Sequence, residues 1–257
     1  MANQNLNLYK YNGFGCLLTT VGTMVTAGVG IMNDGAAFTA LPVYATGEAL
    51  RVVSSDTNDD GSPAGTGART VQVIYIDTDG SIDSEIVTMD GMTVVALTDT
   101  TVARVLDIHV LTAGAAGTNI GTITIQTTGG VNRMSIPPAQ SRAAPGRFTV
   151  PTGYSGLYRG FNISNATNTN LTTVMYLIEA DVNPLTGALN ENVFQPIDWA
   201  VSGPASGELG AKAPFPQGGR RVYLPEKCTV RARAIATGAF VSAAGFVMLE
   251  LHPKPTT

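Results

Sequence analysis

The sequence predicts an all-β chain of antiparallel sheets, a β-sandwich of jelly-roll-like type. Three observations predict it. First, 29 glycines and 14 prolines make about one residue in six of the 257 a chain breaker, which suits many short strands joined by tight turns. Second, apolar and polar residues alternate at period two in segment after segment, as in strands with one buried face. Third, no convincing amphipathic stretch carries helical caps. Hydrophobic residues make up 44%, enough for a real core. Charged residues make up only 13%, about half the roughly 25% of ordinary soluble domains.

The elements follow in order. Residues 69–77 set Val71, Val73 and Tyr75 against Thr70, Gln72 and Ile74, a half-buried strand. Asp77-Thr78-Asp79-Gly80 is a turn in which aspartates cap local amides and the glycine takes positive φ. Residues 82–89 return as the partner strand, and Asp90-Gly91 turns into a strand over 92–97. Residues 105–112 alternate again, with Val105, Asp107, His109 and Leu111 on one face and Leu106, Ile108 and Val110 on the other. A turn of helix over 102–106 is the alternative for its start. Residues 121–127 put Ile123 and Ile125 inward and Thr122, Thr124 and Gln126 outward, and 131–136 follow the Gly129-Gly130 turn. This half reads as a β-meander.

Pro137-Pro138 opens a polar connector over 137–146, the one composition shift that marks a boundary. Strands resume at 147–150, 157–163 and 171–182. A Gly/Pro-rich loop covers 202–219, long for a compact domain and therefore a candidate for function or mobility. Strands at 229–235 and 240–251 close the chain. The organisation is an N-terminal arm over 1–13 and a β-sandwich region over 14–257. One sandwich or two abutting small β subdomains both accommodate about a dozen strands.

Charge and composition exclude several classes. With 15 basic and 19 acidic residues the formal charge is −4, so there is no basic excess for a phosphate backbone and no nucleic-acid partner is expected. No run of 18 apolar residues spans a bilayer, so no membrane partner is expected. The N-terminus lacks a basic segment followed by an apolar one, and so reads as no secretory signal. Cys16 and Cys228 could close one disulfide; the plainer reading is two reduced, buried thiols of a protein made in a reducing cytoplasm.

Catalytic chemistry finds little support. Asp56-Thr57-Asn58-Asp59-Asp60-Gly61 copies the first half of a calcium loop, but Gly67 stands where the closing bidentate glutamate belongs. A solvated hairpin loop is the plainer reading. Asp77, Asp79, Asp83 and Glu85 form a second acidic group, read as a turn with local caps. His109 shares a face with Asp107, yet no G-x-S-x-G elbow supplies a nucleophile, and Tyr154-Ser155-Gly156 lacks that form. His252 stands alone before the terminal prolines. The pairs and runs at Gly65-Thr66-Gly67, Gly114 to Gly117 and Gly129-Gly130 lack the Lys-Ser/Thr ending of a phosphate loop. No residue is assigned a catalytic, cofactor-binding or metal-ligating role, and no cofactor is expected.

Three N-glycosylation sequons begin at Asn162, Asn165 and Asn170 and read as a polar Asn/Thr loop. Arg220-Arg221 could pair with a partner's carboxylates. Arg231 and Arg233 alternate along a strand, forming an exposed face or a subunit contact. Trp199, the single tryptophan, sits in a proline-flanked segment where core or interface burial is expected.

Several stretches resemble one family. Ala64-Gly65-Thr66-Gly67-Ala68-Arg69-Thr70-Val71 after a Ser/Asn/Asp-rich loop, an alternating strand and a turn, and then Ser84-Glu85-Ile86-Val87-Thr88-Met89-Asp90-Gly91, are similar to a pattern in virion structural proteins of tailed bacteriophages, especially marine ones. The stretch Ala116-Gly117-Thr118-Asn119-Ile120-Gly121-Thr122-Ile123-Thr124-Ile125 resembles the family's G-G-T-N-x-G-T-I-T-I. Phe148-Thr149-Val150-Pro151-Thr152-Gly153 resembles its Y-T-V-P-A-G, and the segment from Leu224 to Ala234 its closing strand of alternating basic residues. The resemblance covers residues 45–250. Beside this Gly-rich loop Arg69 is expected to be structural, its guanidinium bonding loop carbonyls.

The resemblance implies a β-rich virion component. Low charge and abundant Thr, Ala and Val fit a surface covered by neighbours, and oligomeric symmetry would protect exposed edge strands. The expected role is a capsid decoration or cement protein on the virion's capsid surface, assembled in the host cytoplasm. Its expected partners are the major capsid protein and itself, as a homotrimer. The 202–219 loop and the 1–13 arm are candidates for reaching a neighbour. A tail, neck or fibre-associated virion protein is the alternative, followed by a carbohydrate-binding module and a shell-forming capsid protein; an enzyme is the outsider.

Overall fold

The computed structural model describes residues 17–22, 28–31, 46–143, 147–165, 173–179, 196–197, 211–214, 222–227, 229–236 and 243–254. Among them every regular element is a β-strand and every strand pairing is antiparallel, the all-β architecture that the alternation predicts. The chain divides into two compact units, one of residues 34–144 and one of residues 1–33 with 145–257.

The unit of residues 34–144 is a two-sheet sandwich. One sheet has the order β6-β3-β8-β9, built from β3 (Leu50–Ser54), β6 (Val95–Ala96), β8 (Ile123–Thr127) and β9 (Asn132–Ile136). The other has the order β5-β4-β7, built from β4 (Ala68–Asp77), β5 (Ile82–Thr88) and β7 (Val102–Ala113). Leu50, Val52, Ile123, Ile125, Met134 and Ile136 from the first sheet form one buried cluster with Val71, Val73, Tyr75, Val87, Val105 and Ile108 from the second. Each such side chain contributes about 1.5–3 kcal/mol by leaving water.

The pairing departs from the expected meander. β3 does not pair with its successor β4 but with β8, so that Val52 faces Ile125 across a gap of more than seventy residues. The hairpins β4–β5 and β8–β9 are local, as their turns predict. In the first, Asp77 accepts the Gly80 amide on its carbonyl and the Ser81 amide on Oδ1, and Gly80 takes φ 88°. In the second, Gly130 at φ 83° closes the turn onto Thr127.

Three further expectations are corrected. Residues 102–106 are not helical, because their backbone is committed to β4: Val102 faces Asp77, Arg104 faces Ile76 and Val105 faces Tyr75. Residues 92–97 form only the two-residue β6, since Asp90 to Thr93 is a turn closed by Thr93 N–H on the Asp90 carbonyl. Val105 does not share a face with Asp107. A bulge opposite Ile74 and Tyr75 adds one residue, which flips Val105 and Arg104 to the other side of the sheet. Val105 therefore joins the core with Tyr75, while Asp107 and His109 face the other way beside Ile74 and Gln72. Ile74 and Ile76 are also buried, so β4 is covered on both faces along its later half.

The second unit contains two five-stranded sheets. In one, β1 (Leu17–Gly22), β17 (Ala243–Pro253), β11 (Tyr154–Asn165) and β14 (Ala211–Pro214) pair in that order, with β15 (Val222–Leu224) also on β11. In the other, β10 (Arg147–Thr149), β16 (Thr229–Ala236), β12 (Thr173–Glu179) and β13 (Pro196–Ile197) pair in that order, with β2 (Gly28–Ile31) also on β16. Two expected loops are thereby corrected. Residues 211–214, within the expected 202–219 loop, form β14 on residues 160–163. Asn165, expected in a polar loop, lies in β11, and Asn162, read both as loop and as part of the 157–163 strand, lies in the same strand, each with its backbone paired to β17. A ladder between distant segments supplies the partner that local composition does not reveal. The arm over 1–13, Cys16, Asn170, Trp199, Arg220, Arg221 and Cys228 lie outside the described residues.

Candidate functional site

The loop over Asp56 to Gly61 is the strongest cation candidate in the sequence, and its carboxylates are engaged by the protein itself. Asp56 Oδ1 accepts the Asn58 backbone amide at 2.8 Å and the Asn58 Nδ2 at 2.9 Å. Asp60 Oδ1 accepts the Ser62 amide at 2.8 Å. These are local Asx turns. Among the described residues no group of three or more His, Cys, Asp or Glu stands where it could hold a metal ion.

The organising residue of this region is Asp59, which sequence reasoning passed over as a spacer. It is fully buried. Its Oδ1 accepts the amides of Ala68 at 2.8 Å and Ile120 at 2.9 Å. Its Oδ2 accepts the Ser54 hydroxyl at 2.6 Å and the Gly121 amide at 2.8 Å. Four donors from three segments satisfy the buried charge. The two glycines of Gly65-Thr66-Gly67 make room for this knot: a Cβ at Gly65 would strike the Asn58 carbonyl, and one at Gly67 would strike Asp59 Oδ1. Arg69 closes the loop from the other side, its Nε donating to the Gly65 carbonyl at 3.0 Å. That is the structural role expected of it.

The Ala116 to Ile125 stretch joins the same knot. Asn119 is buried, and its Nδ2 donates to the carbonyls of Gly121 at 2.7 Å and Pro137 at 2.8 Å. Two of the stretches quoted from the sequence, Ala64 to Val71 and Ala116 to Ile125, therefore meet at one buried carboxylate.

The second acidic group is also occupied. Both oxygens of Glu85 accept the Thr98 amide at 2.9 Å, and Oε1 accepts the Thr98 hydroxyl at 3.0 Å. Asp99 Oδ1 accepts the amide and hydroxyl of Thr101. Burial, followed by the negative charges of Asp99 and Asp83, raises the Tyr75 hydroxyl well above the usual tyrosine range. Tyr75 is therefore held neutral, hydrogen-bonded to Asp99.

On the outer face of β7, Asp107 is buried with its side chain 2% exposed. Arg142 grips it with Nη2 2.8 Å from Oδ2 and Nε 3.3 Å from Oδ1. His109 Nδ1 stands 3.4 Å from the same Oδ2. The sequence placed Asp107 and His109 on one face correctly and gave no sign of Arg142. The nearby hydroxyl, Ser141 Oγ, is turned onto Thr118 Oγ1 at 2.6 Å. This geometry stabilises charge, and the Ser141 hydroxyl is not directed at the imidazole.

The remaining candidates disperse. His252 lies in β17 opposite Ser155. Arg231 and Arg233 lie in β16, a strand paired on both sides, with Arg231 opposite Leu177 and Arg147 and Arg233 opposite Met175 and Ile31. Glu226, missed in the sequence, joins three segments of the second unit: it accepts the Gly153 amide at 3.0 Å and pairs with Lys254 at 3.2 Å. The Gly153 amide, followed by Lys254, lowers its carboxyl below the ordinary 4.5.

Comparison with protein families and with curated proteins returns no match. Among solved structures, the crystal structure of the infectious bursal disease virus VP2 subviral particle aligns at 11% identity over 93% of this chain and 81% of that one, with a TM-score of 0.17. T=1 particles derived from the same virus align at 11% identity over 95% and 80%, with a TM-score of 0.11. Scores this low define no shared fold and bear on no function.

Proposed function

We propose that this chain is a structural virion protein of a tailed bacteriophage, a capsid decoration or cement protein that binds and stabilises the head through protein–protein contacts. The observation that carries the reading is the block Ala64 to Gly91, which resembles that family and which forms the β4–β5 hairpin with the loop locked on Asp59 and Arg69. The family's pattern here encodes a scaffold: its glycines, arginine and turn residues are used to hold loops together.

Two further features support the reading. The carboxylates of Asp56, Asp59, Asp60, Asp77 and Glu85 are engaged in structural hydrogen bonds, as suits a protein acting through contact. The tight turn at Gly91, itself bonded to Asp59 and Ser54, presents Met92 at 61% exposure and Val94 at 43%. Rigidly held apolar side chains of this kind gain free energy when a neighbouring subunit covers them. The partners are the major capsid protein and, as a homotrimer, the chain itself.

The test is electron microscopy of source virions labelled with a Fab that binds the native protein. Regular label over the head is expected. Label confined to the tail or neck would assign the chain there instead, and unlabelled particles would overturn a virion-surface role.

A further inference from the structure

We propose that Asp107, His109 and Arg142 form a proton-operated clasp that holds residues 141–143 onto β7 and loosens them when His109 is protonated. These residues form the last short strand-like segment of the first unit. Ser141 accepts the Val110 amide at 2.7 Å and Ala143 donates to the Ile108 carbonyl at 2.9 Å, with Arg142 bridged to His109 between them. The segment is strained on its approach, because Ala139 and Ser141 hold φ of 61° and 56°. Neither is glycine, and such a conformation persists only where surrounding contacts impose it. The Asn119 carbonyl and Oδ1 supply part of that restraint through the amides of Ala139 and Ser141. The side-chain tie from Arg142 to Asp107 supplies another.

The clasp responds to protons because two groups compete for one oxygen. Asp107 Oδ2 lies 2.8 Å from Arg142 Nη2 and 3.4 Å from His109 Nδ1. His109 Nδ1 is enclosed and makes no hydrogen bond among the described residues, standing only near Asp107 Oδ2. With neutral imidazole, the Arg142 guanidinium is the cation that meets Asp107 Oδ2. Protonation adds a second cation beside the first, since His109 and Arg142 are bridge partners. Among the described residues on this face, Gln72 stands opposite His109 on β4 and donates to Ser84, and Arg104, the next charged residue before Asp107 in β7, is a further cation. One cation must withdraw. The Arg142 side chain is 58% exposed and His109 22%, so arginine has water to move into and imidazole has little. Histidine is also the side chain whose charge ordinarily changes between pH 5 and 8.

Hydrogen exchange followed by NMR tests the clasp. Opening constants for the Ala143 and Val110 amides, corrected for intrinsic exchange, are compared at about pH 8 and about pH 5. In the native sequence they should rise at least about fivefold at the lower pH, with the amides of Val73 and Ile125 unchanged as internal references. In His109→Gln the rise should vanish, and in Arg142→Gln the amides should be open already at the higher pH. The Arg142 Nε–H resonance of the unsubstituted protein should titrate together with the His109 ring, a readout that needs no variant to fold. Equal protection at both pH values, an undiminished rise in His109→Gln, or an Arg142 resonance indifferent to the ring would each overturn the proposal.

Discussion

Asp59 and Gly121 stand 62 positions apart, yet Asp59 Oδ2 accepts the Gly121 amide at 2.8 Å inside the protein. The same carboxylate holds Ser54, Ala68 and Ile120, so the loop before β4 and the loop before β8 are fixed by one buried charge. Asp59→Ala removes both oxygens and leaves four donors in place. It should destabilise the protein by at least about 3 kcal/mol. Asp59→Asn keeps the shape but turns one acceptor into a donor that faces other donors, and should cost about 2 kcal/mol. Guanidinium unfolding followed by circular dichroism measures both; a cost under about 0.5 kcal/mol for the alanine variant would show the knot to be incidental.

Arg69 bonds the Gly65 carbonyl through Nε, at a point of the side chain where lysine carries a methylene. Arg69→Lys should therefore lose about 1 kcal/mol, nearly as much as Arg69→Ala. Equal stability of the lysine variant and the native protein would show that charge alone matters here.

Tyr75 is raised above its ordinary range by burial and by Asp99 and Asp83. A raised folded value means that the folded state holds its proton where the unfolded state releases it. The stabilisation is thus complete below the ordinary tyrosine value of about 10 and is lost as pH climbs through the folded one. Denaturant midpoints between about pH 8 and pH 11 should fall in the native protein and fall less in Tyr75→Phe.

Glu226 runs the other way. Its folded value is lowered by the Gly153 amide and by Lys254, so its contribution is present above the ordinary carboxylate value and fades as pH drops through the folded one. The group is 36% exposed, and water screening keeps the effect to a few tenths of a kcal/mol. Thermal midpoints followed from neutral pH into acid should show a slightly smaller decline for Glu226→Gln than for the native protein.

The Asp56 to Gly61 loop is closed by its own amides. Addition of about 1 mM calcium should leave the thermal midpoint unchanged. A rise of several degrees would reinstate the half-motif as a cation site.

The sequence determined where several of the strands and turns fall. Period-two alternation placed Val71, Val73 and Tyr75 inward and did the same for Ile123 and Ile125, because a strand's own pleat decides its faces. The Asp-Gly and Gly-Gly steps placed the hairpin turns, because positive φ and Asx capping are local properties. Tertiary structure alone decided which strands meet. It set β3 beside β8 rather than β4, added the bulge that carries Val105 into the core, and paired residues 211–214 with β11. It also chose Asp59 among three neighbouring acids and brought Arg142 to Asp107. Those outcomes depend on hydrogen bonds between segments tens of residues apart. A carboxylate's role there is set by the donors that reach it, and no spacing along the chain records them.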